Sequence, residues 1–441
     1  MKLRILAGAG LIILAGCKTT QSSSIATAHP VPVASLEERV NIPEGWTPNT
    51  LADIALVRHP ILRAAQLRAM GKSEQPAQQG ALPDPMVGIT GGDLAETAAG
   101  QAVWMARAEQ AFPGPGKLDA RVKAANAKAE AAAFEAQVLA LELTKNVQQV
   151  AWRHFLADRS TTIHRETQDV LEQVRDSVDA RAAAGRASQQ DQLRVASELG
   201  RIDQALIRSE QQKTSAQAQL NGLLVRATGA PFPSSGVGQT PTLLSHEDAL
   251  ERLPSHPEIL ALSAHRNAAE QMLRQARLSR TPDYVVGVQY TQVDDSGLAP
   301  SANGDDQVAA TIGLRIPLWP APRAASIRES ELGLMEVDAR IQAILVRLQA
   351  EAESAWFQVD AASRQAALLE KQLIPESEQA FDLVQSAYAS GKQEFVDVID
   401  SWRQMLALRL QHAQILAERG QAFAALNRAT NIFPPSPRVI P

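Results

Sequence analysis

The sequence predicts a mixed, mainly α-helical fold, built by internal duplication, with four β-strands per chain. Three observations predict it: a long-period repeat, helical runs of unusual length, and cleanly alternating segments between them. The repeat is legible in the residues. Around His59-Pro60-Ile61 the chain reads Leu-Ala-Asp-Ile-Ala-Leu-Val-Arg-His-Pro-Ile; around His256-Pro257 it reads His-Glu-Asp-Ala-Leu-Glu-Arg-Leu-Pro-Ser-His-Pro-Glu-Ile. Each is followed by a helical stretch, a Pro-Asp pair (Pro83-Asp84, Pro282-Asp283) and an alternating segment. A proline-marked exit (Phe112-Pro113, Ile316-Pro317), a long Ala-rich run, a glycine (Gly185, Gly391) and a second long run complete each copy. The offset grows from about 197 to about 206 residues, too long for a solenoid, so each copy is half of one architecture.

The amino terminus comes first in chain order. Lys2 and Arg4 precede the apolar run Ile5 to Leu14, and Leu14-Ala15-Gly16-Cys17 follows. That pattern is a secretory signal peptide, too short to span a membrane. Cys17 is the only cysteine, so an intrachain disulfide is excluded. Its place behind small residues resembles a bacterial lipobox, which implies lipidation at Cys17. Lys18 is not the aspartate that retains such lipoproteins at the inner membrane, which points outward. Residues 1–16 thus read as the signal and 17–48 as a lipid-anchored tether rich in Ser, Thr, Ala and Pro. The net charge of −5 falls to about seven negative once Lys2 and Arg4 are removed. With no basic cluster carrying interleaved aromatics, a nucleic-acid partner is excluded. No later stretch holds eighteen consecutive apolar residues, so no transmembrane helix is expected.

The first repeat occupies 49–230, the second 246–432, with a linker at 231–245 and a tail at 433–441. From Lys117 to about Ala183 neither proline nor glycine interrupts the chain, roughly 100 Å of helix. A second run extends from about Arg323 to Ser390, broken only by Gly333 and Pro375. Each has a partner, about Ser188 to Leu224 and about Glu394 to Ala429. Apolar residues at helical spacing (Phe395, Val398, Trp402, Met405, Leu406) and many alanines favour close coiled-coil-like packing. Gly185 and Gly391 sit where each run turns back, since glycine takes the positive φ that ends a helix.

Between the helices, period two takes over. Tyr284, Val286, Val288 and Tyr290 share one face, opposite Gly287, Gln289 and Thr291. Val308, Ala310, Ile312, Leu314 and Ile316 share another, opposite Gln307, Thr311, Gly313 and Arg315. In the first copy Trp104, Ala106, Ala108 and Phe112 oppose Met105, Arg107 and Glu109, with Val87 and Ile89 marking the partner strand. Strands of about ten residues, apolar outward and aromatic at the ends, fit a membrane β-barrel; the alternative is a soluble two-sheet domain. Four strands cannot close a barrel, and open edges are not tolerated in lipid. If these strands are membranous, several chains must share one barrel.

Carried by these features and by the tip Tyr388-Ala-Ser-Gly391-Lys-Gln-Glu-Phe-Val-Asp397-Val-Ile-Asp400, the chain resembles the TolC-like outer-membrane efflux proteins. The Y-x-x-G followed by V-D-V-[LI]-D matches that family's pattern. The resemblance covers nearly all of the mature chain. It implies a homotrimer in the outer membrane whose chains share a twelve-stranded β-barrel and a long periplasmic α-barrel closed at its far end. It implies as partners an inner-membrane pump and a periplasmic adaptor docking on the tips near Gly185 and Gly391. Phe112-Pro-Gly-Pro-Gly-Lys117 is similar to a version found in relatives that serve heavy-metal pumps.

The resemblance also implies roles for single residues. Asp397 and Asp400 lie three apart on one helix face, and the matching family pair lines the periplasmic constriction; the competing reading is that acids near a helix N-terminus are favoured by its dipole. Tyr388 matches a tyrosine that helps hold the closed state. Asp191 is the first-copy equivalent of Asp397, while Arg194 replaces the second acid. A family arginine of the closed-state network stands here as Gln393, with Lys392 and Arg186 nearby, a departure from the family pattern.

The His-Pro pairs at 59 and 256 read as helix starts, because a residue before proline is pushed out of the α region. No metal-ligand spacing, nucleophile elbow or phosphate loop is present, so neither a metal, a cofactor nor an enzyme is expected. The preferred function is a passive efflux conduit for drugs or heavy metals. The runner-up is a non-channel periplasmic lipoprotein acting as coiled-coil scaffold or adaptor, which would have no use for the alternating strands.

Overall fold

A computed structural model describes residues 41–92, 96–97, 100–233, 243–294 and 304–431. Everything described from Ile42 onward belongs to one unit. The first copy runs α1 (Pro48–Arg58), α2 (Pro60–Ser73), α3 (Gln75–Gly80), β1 (Met86–Gly91), β2 (Glu96–Thr97), β3 (Gly100–Phe112), α4 (Lys117–Ala183) and α5 (Gln189–Leu223). The second runs α6 (His246–Glu251), a 3-10 turn (Leu253–Ser255), α7 (Pro257–Leu278), β4 (Asp283–Asp294), β5 (Gln307–Arg315), α8 (Pro320–Leu368), a π-turn (Leu369–Leu373), α9 (Ile374–Ala389) and α10 (Phe395–Thr430). Cys17 and the rest of 1–40 lie outside the described residues.

The two His-Pro pairs do the same local job. His59 and His256 are both extended, and each Nδ1 accepts the backbone N–H two residues on, from Ile61 at 3.3 Å and Glu258 at 3.2 Å. The side chain thus satisfies one orphan donor of the helix that the proline begins. In His256, fully buried, Nδ1 accepts, so Nε2 carries the proton and donates to the Arg428 carbonyl at 2.9 Å. The helix after each pair differs between copies. α7 is continuous for 22 residues, whereas Pro76 restarts the first copy's helix as α3.

The strands form one antiparallel sheet in the order β1-β3-β4-β5, with the two-residue β2 added against the start of β3. That short strand is an addition to the four expected. The β3–β4 pairing joins the hairpin of one copy to that of the other. Its register sets Ala106 opposite Tyr290, Ala108 opposite Val288 and Phe112 opposite Tyr284. β1 contributes Ile89 and Val87 to the same rows, and β5 contributes Val308, Ala310, Ile312 and Leu314. Directly paired residues share a face, so the residues expected on the apolar face that lie within the strands fall on one side, while Ile316 lies past the end of β5. That side is bare: Val87, Ile89, Val308 and Ile312 are each more than two-thirds exposed. A bulge between Ala102 and Trp104 reverses the alternation beyond the belt, where Ala102 and Val293 pair and are buried.

The long helices appear where the uninterrupted runs predict them. α4 keeps its 67 residues unbroken and α8 passes straight through Gly333, which meets open space. Pro375 does leave a mark. It lacks a donor and crowds the preceding turn, and the chain widens into the π-turn at 369–373 instead of breaking. Buried apolar clusters are strung along the bundle. One joins Ile42, Trp46 and α1 to α4 and α5; another joins α7, α8 and α10 around Leu348 and Leu426. A third, at the far ends of α4, α5, α9 and α10, holds Val178, Val195, Phe381, Tyr388 and Trp402.

Candidate functional site at the helical tips

Both hairpins turn by the same device. Gly185 (φ +72°) and Gly391 (φ +79°) sit one residue past the helix cap. The amide after each glycine reaches back to an orphan carbonyl, Arg186 to Arg181 at 2.8 Å and Lys392 to Ala387 at 2.9 Å. The glycine amides bond Ala182 and Tyr388 at 2.9 Å each. This is the left-handed helix stop that glycine permits.

The returning helices are capped alike. Ser188 accepts the Asp191 amide at 3.2 Å while the Asp191 carboxylate accepts the Ser188 amide at 3.1 Å. On the other tip the Asp397 carboxylate accepts the Glu394 amide at 3.3 Å. Asp397 therefore has a local capping role, as its counterpart Asp191 does. Asp397 and Asp400 are both exposed, one turn apart on α10. Asp400 bonds Arg403 at 3.2 Å, and Arg403 reaches across to Glu198 of α5 at 2.5 Å. Glu198, nearly buried, also holds Arg201 at 3.3 Å. Gln393, Lys392 and Arg186 are exposed around the turns, and so is Arg194.

Tyr388 points inward. Its ring packs edge-on to Phe395 at 5.8 Å, and only 5 % of the residue is exposed. Its hydroxyl has no hydrogen-bond partner among the described residues. Burial pushes its pKa up, opposed by the charge of Arg181. The Arg181 guanidinium lies over the ring, 4.4 Å from its centre, and donates to the carbonyls of Tyr388 and Ala389. Sequence reasoning missed Arg181 and Glu198. A basic residue in the last turn of a helix is commonplace, and the duplication offers no hint, because the counterpart of Arg181 is Ala387. Among the described residues no group of three or more His, Cys, Asp and Glu is arranged to hold a metal, and no helix is long and apolar enough to cross a membrane.

Residues 249–431 match the model of the outer membrane efflux protein family. The fold is that of the outer membrane protein VceC from Vibrio cholerae, with a TM-score of 0.73 at 17% identity over 87% of this chain and 95% of that one. It equally matches CusC, a transmembrane channel, with a TM-score of 0.72 at 17% identity over 90% of this chain and 95% of the other. The chain is thus similar to the outer membrane efflux proteins in sequence over residues 249–431 and in fold over most of its length. A curated relative is the cobalt-zinc-cadmium resistance protein CzcC of Cupriavidus metallidurans, 23% identical over 324 residues, which are 71% of this chain and 73% of CzcC. The family match lies in the second copy, which holds the Tyr388–Asp400 tip. The structural likeness extends the fold over both copies.

Proposed function

We propose that this chain is the outer-membrane channel of a tripartite efflux system, a passive conduit that three copies build together. One observation carries the reading: among the described residues, a sheet whose apolar face is bare and whose outer strands β1 and β5 are each paired on one side only. Unpaired edges in water invite aggregation, and in lipid each unmet backbone group costs several kcal/mol. Copies joined edge to edge remove both problems, and three of them reach twelve strands, within the range of closed membrane barrels. Phe112 and Tyr284 mark one end of the apolar belt, Trp104 and Tyr290 the other.

On this reading α4, α5 and α8–α10 carry the conduit across the periplasm. An adaptor binds at the turns of Gly185 and Gly391, an inner-membrane pump supplies the energy, and Cys17 carries a lipid anchor. Asp397 and Asp400 from three copies line the constriction, with Tyr388 behind them. The cargo class is drugs or heavy metals. The likeness to CzcC and the Phe112–Lys117 turn favour divalent metal ions. Purified protein in planar bilayers tests the channel directly. Discrete, cation-selective conductance steps are expected; silence across repeated insertions would return the scaffold reading.

A further inference from the structure

We propose that Arg181 is the positioning residue that holds the tip of the second helical hairpin against the first, and that it grips the ring and carbonyls of Tyr388, not its hydroxyl. The inference rests on the channel reading, since what it controls is the opening of the tip.

The contact crosses between hairpins. Arg181 belongs to the last turn of α4, whereas Tyr388 and Ala389 end α9. The C-terminus of α9, with the partial negative charge of its last carbonyls, therefore meets the guanidinium. Arg181 has no carboxylate within ion-pair distance among the described residues; its compensation is the two carbonyls and the tyrosine π-face. A flat guanidinium can stack and donate in its own plane at the same time, which a lysine ammonium cannot. Its Nη2 also lies 4.0 Å from where a side chain on residue 391 would begin, so the group passes beside the Gly391 turn itself.

The hydroxyl tells the same story by omission. It is buried without a partner among the described residues, so within them it contributes no bond that would be lost on opening. The ring does have partners: Arg181 on its face and Phe395 at 5.8 Å. Lower down, Arg403 of α10 reaches back to Glu198 of α5. The second hairpin is thus tied by an arginine reaching out from each side, and the tie at the turn is Arg181.

Single-channel recording of Arg181→Gln, Arg181→Lys, Tyr388→Leu and Tyr388→Phe tests this, with trimer yield and melting followed in parallel. Arg181→Gln and Tyr388→Leu should each raise open probability on the order of tenfold, and the double variant no further than either alone. Arg181→Lys should fall between Arg181→Gln and the parent, and Tyr388→Phe should open far less than Tyr388→Leu. Amide hydrogen exchange at Ser390, Gly391 and Lys392 in the full-length protein gives a reading independent of conductance, and should speed up in the same order. Tyr388→Phe opening as much as Tyr388→Leu would make the hydroxyl the grip and overturn the proposal. So would Arg181→Gln matching the parent in both recordings and exchange. If the parent itself never conducts, the channel reading fails, and the exchange order still decides whether Arg181 holds the turn.

Discussion

Single residues at the tip carry two duties at once. Asp397 caps α10 by accepting the Glu394 amide and still presents its carboxylate to solvent beside Asp400. Capping alone explains an acid at 397. It does not explain one at 400, which is past the first turn and faces the guanidinium of Arg403 at 3.2 Å. In a closed trimer six such carboxylates would converge and attract cations, as acidic rings do in cation channels. Asp397→Asn with Asp400→Asn should move reversal potentials toward neutrality and weaken block by trivalent cations. Asparagine still offers an oxygen to the Glu394 amide, so the cost to stability should stay within about 1 kcal/mol. Unchanged selectivity together with unchanged block would leave these acids as helix caps only.

Farther from the tip, His154 of α4 is 2 % exposed, wedged between Trp46 at 5.6 Å and Phe232 at 5.7 Å. Neither ring nitrogen has a partner among the described residues. Burial holds its pKa below the ordinary 6.5, with Asp158 pulling up and Lys213 pulling down. The unfolded chain takes this proton near 6.5, the folded chain only at lower pH, so stability falls as pH drops below about 6.5. His154→Phe should make that fall shallower, read as the difference in urea midpoint between pH 7 and pH 5. It should not abolish it, because burial also lowers His256 and His412. Equal pH differences in parent and variant would mean that His154 is not a source of the acid sensitivity.

At the scale of elements, the sheet makes the sharpest statement. Ile312 sits opposite Val286 in the middle of the bare face, and Thr311, opposite Gly287, faces the other way. A one-residue slip would exchange them. Ile312→Arg should cost roughly 2–4 kcal/mol near a bilayer midplane, and Thr311→Arg far less. The check is the yield of assembled trimer in the membrane for each variant; equal yields would rule out this register. The helices show the opposite behaviour, tolerating interruption. Gly333 leaves α8 unbroken, and Pro375 is absorbed by a single π-turn.

For the whole molecule, closure is the governing constraint. A chain with two half-paired sheet edges and long helices studded with exposed apolar side chains, such as Phe357 and Val346 on α8, is incomplete alone. In the proposed channel a shared barrel would anchor itself through its apolar belt, which would make the proposed lipid on Cys17 auxiliary. Cys17→Ser should weaken membrane association at early stages of assembly yet leave trimers in the outer-membrane fraction. Complete release of a folded, soluble monomer would favour the scaffold reading.

The elements are legible in the amino-acid sequence. Periods of 3.6 and 2 are written in consecutive residues, and so are the prolines and glycines that end them; the limits of α4, the turns at Gly185 and Gly391 and the face of each strand were therefore legible. The tip motif was legible too, because its spacing is local. Which element lies beside which emerges only from the folded chain. That β3 pairs with β4 across the two copies, that Glu198 answers Arg403, and that Arg181 lies over Tyr388 are contacts between residues nearly two hundred or more positions apart. Gly420 is a further case: it is no turn, but the place where Trp152 of α4 lies against α10, where an added Cβ would come within 2.0 Å of the indole. No local pattern encodes such pairs, because the free energy that selects them comes from packing two distant surfaces at near-crystalline density, and that surface exists only once the chain has folded.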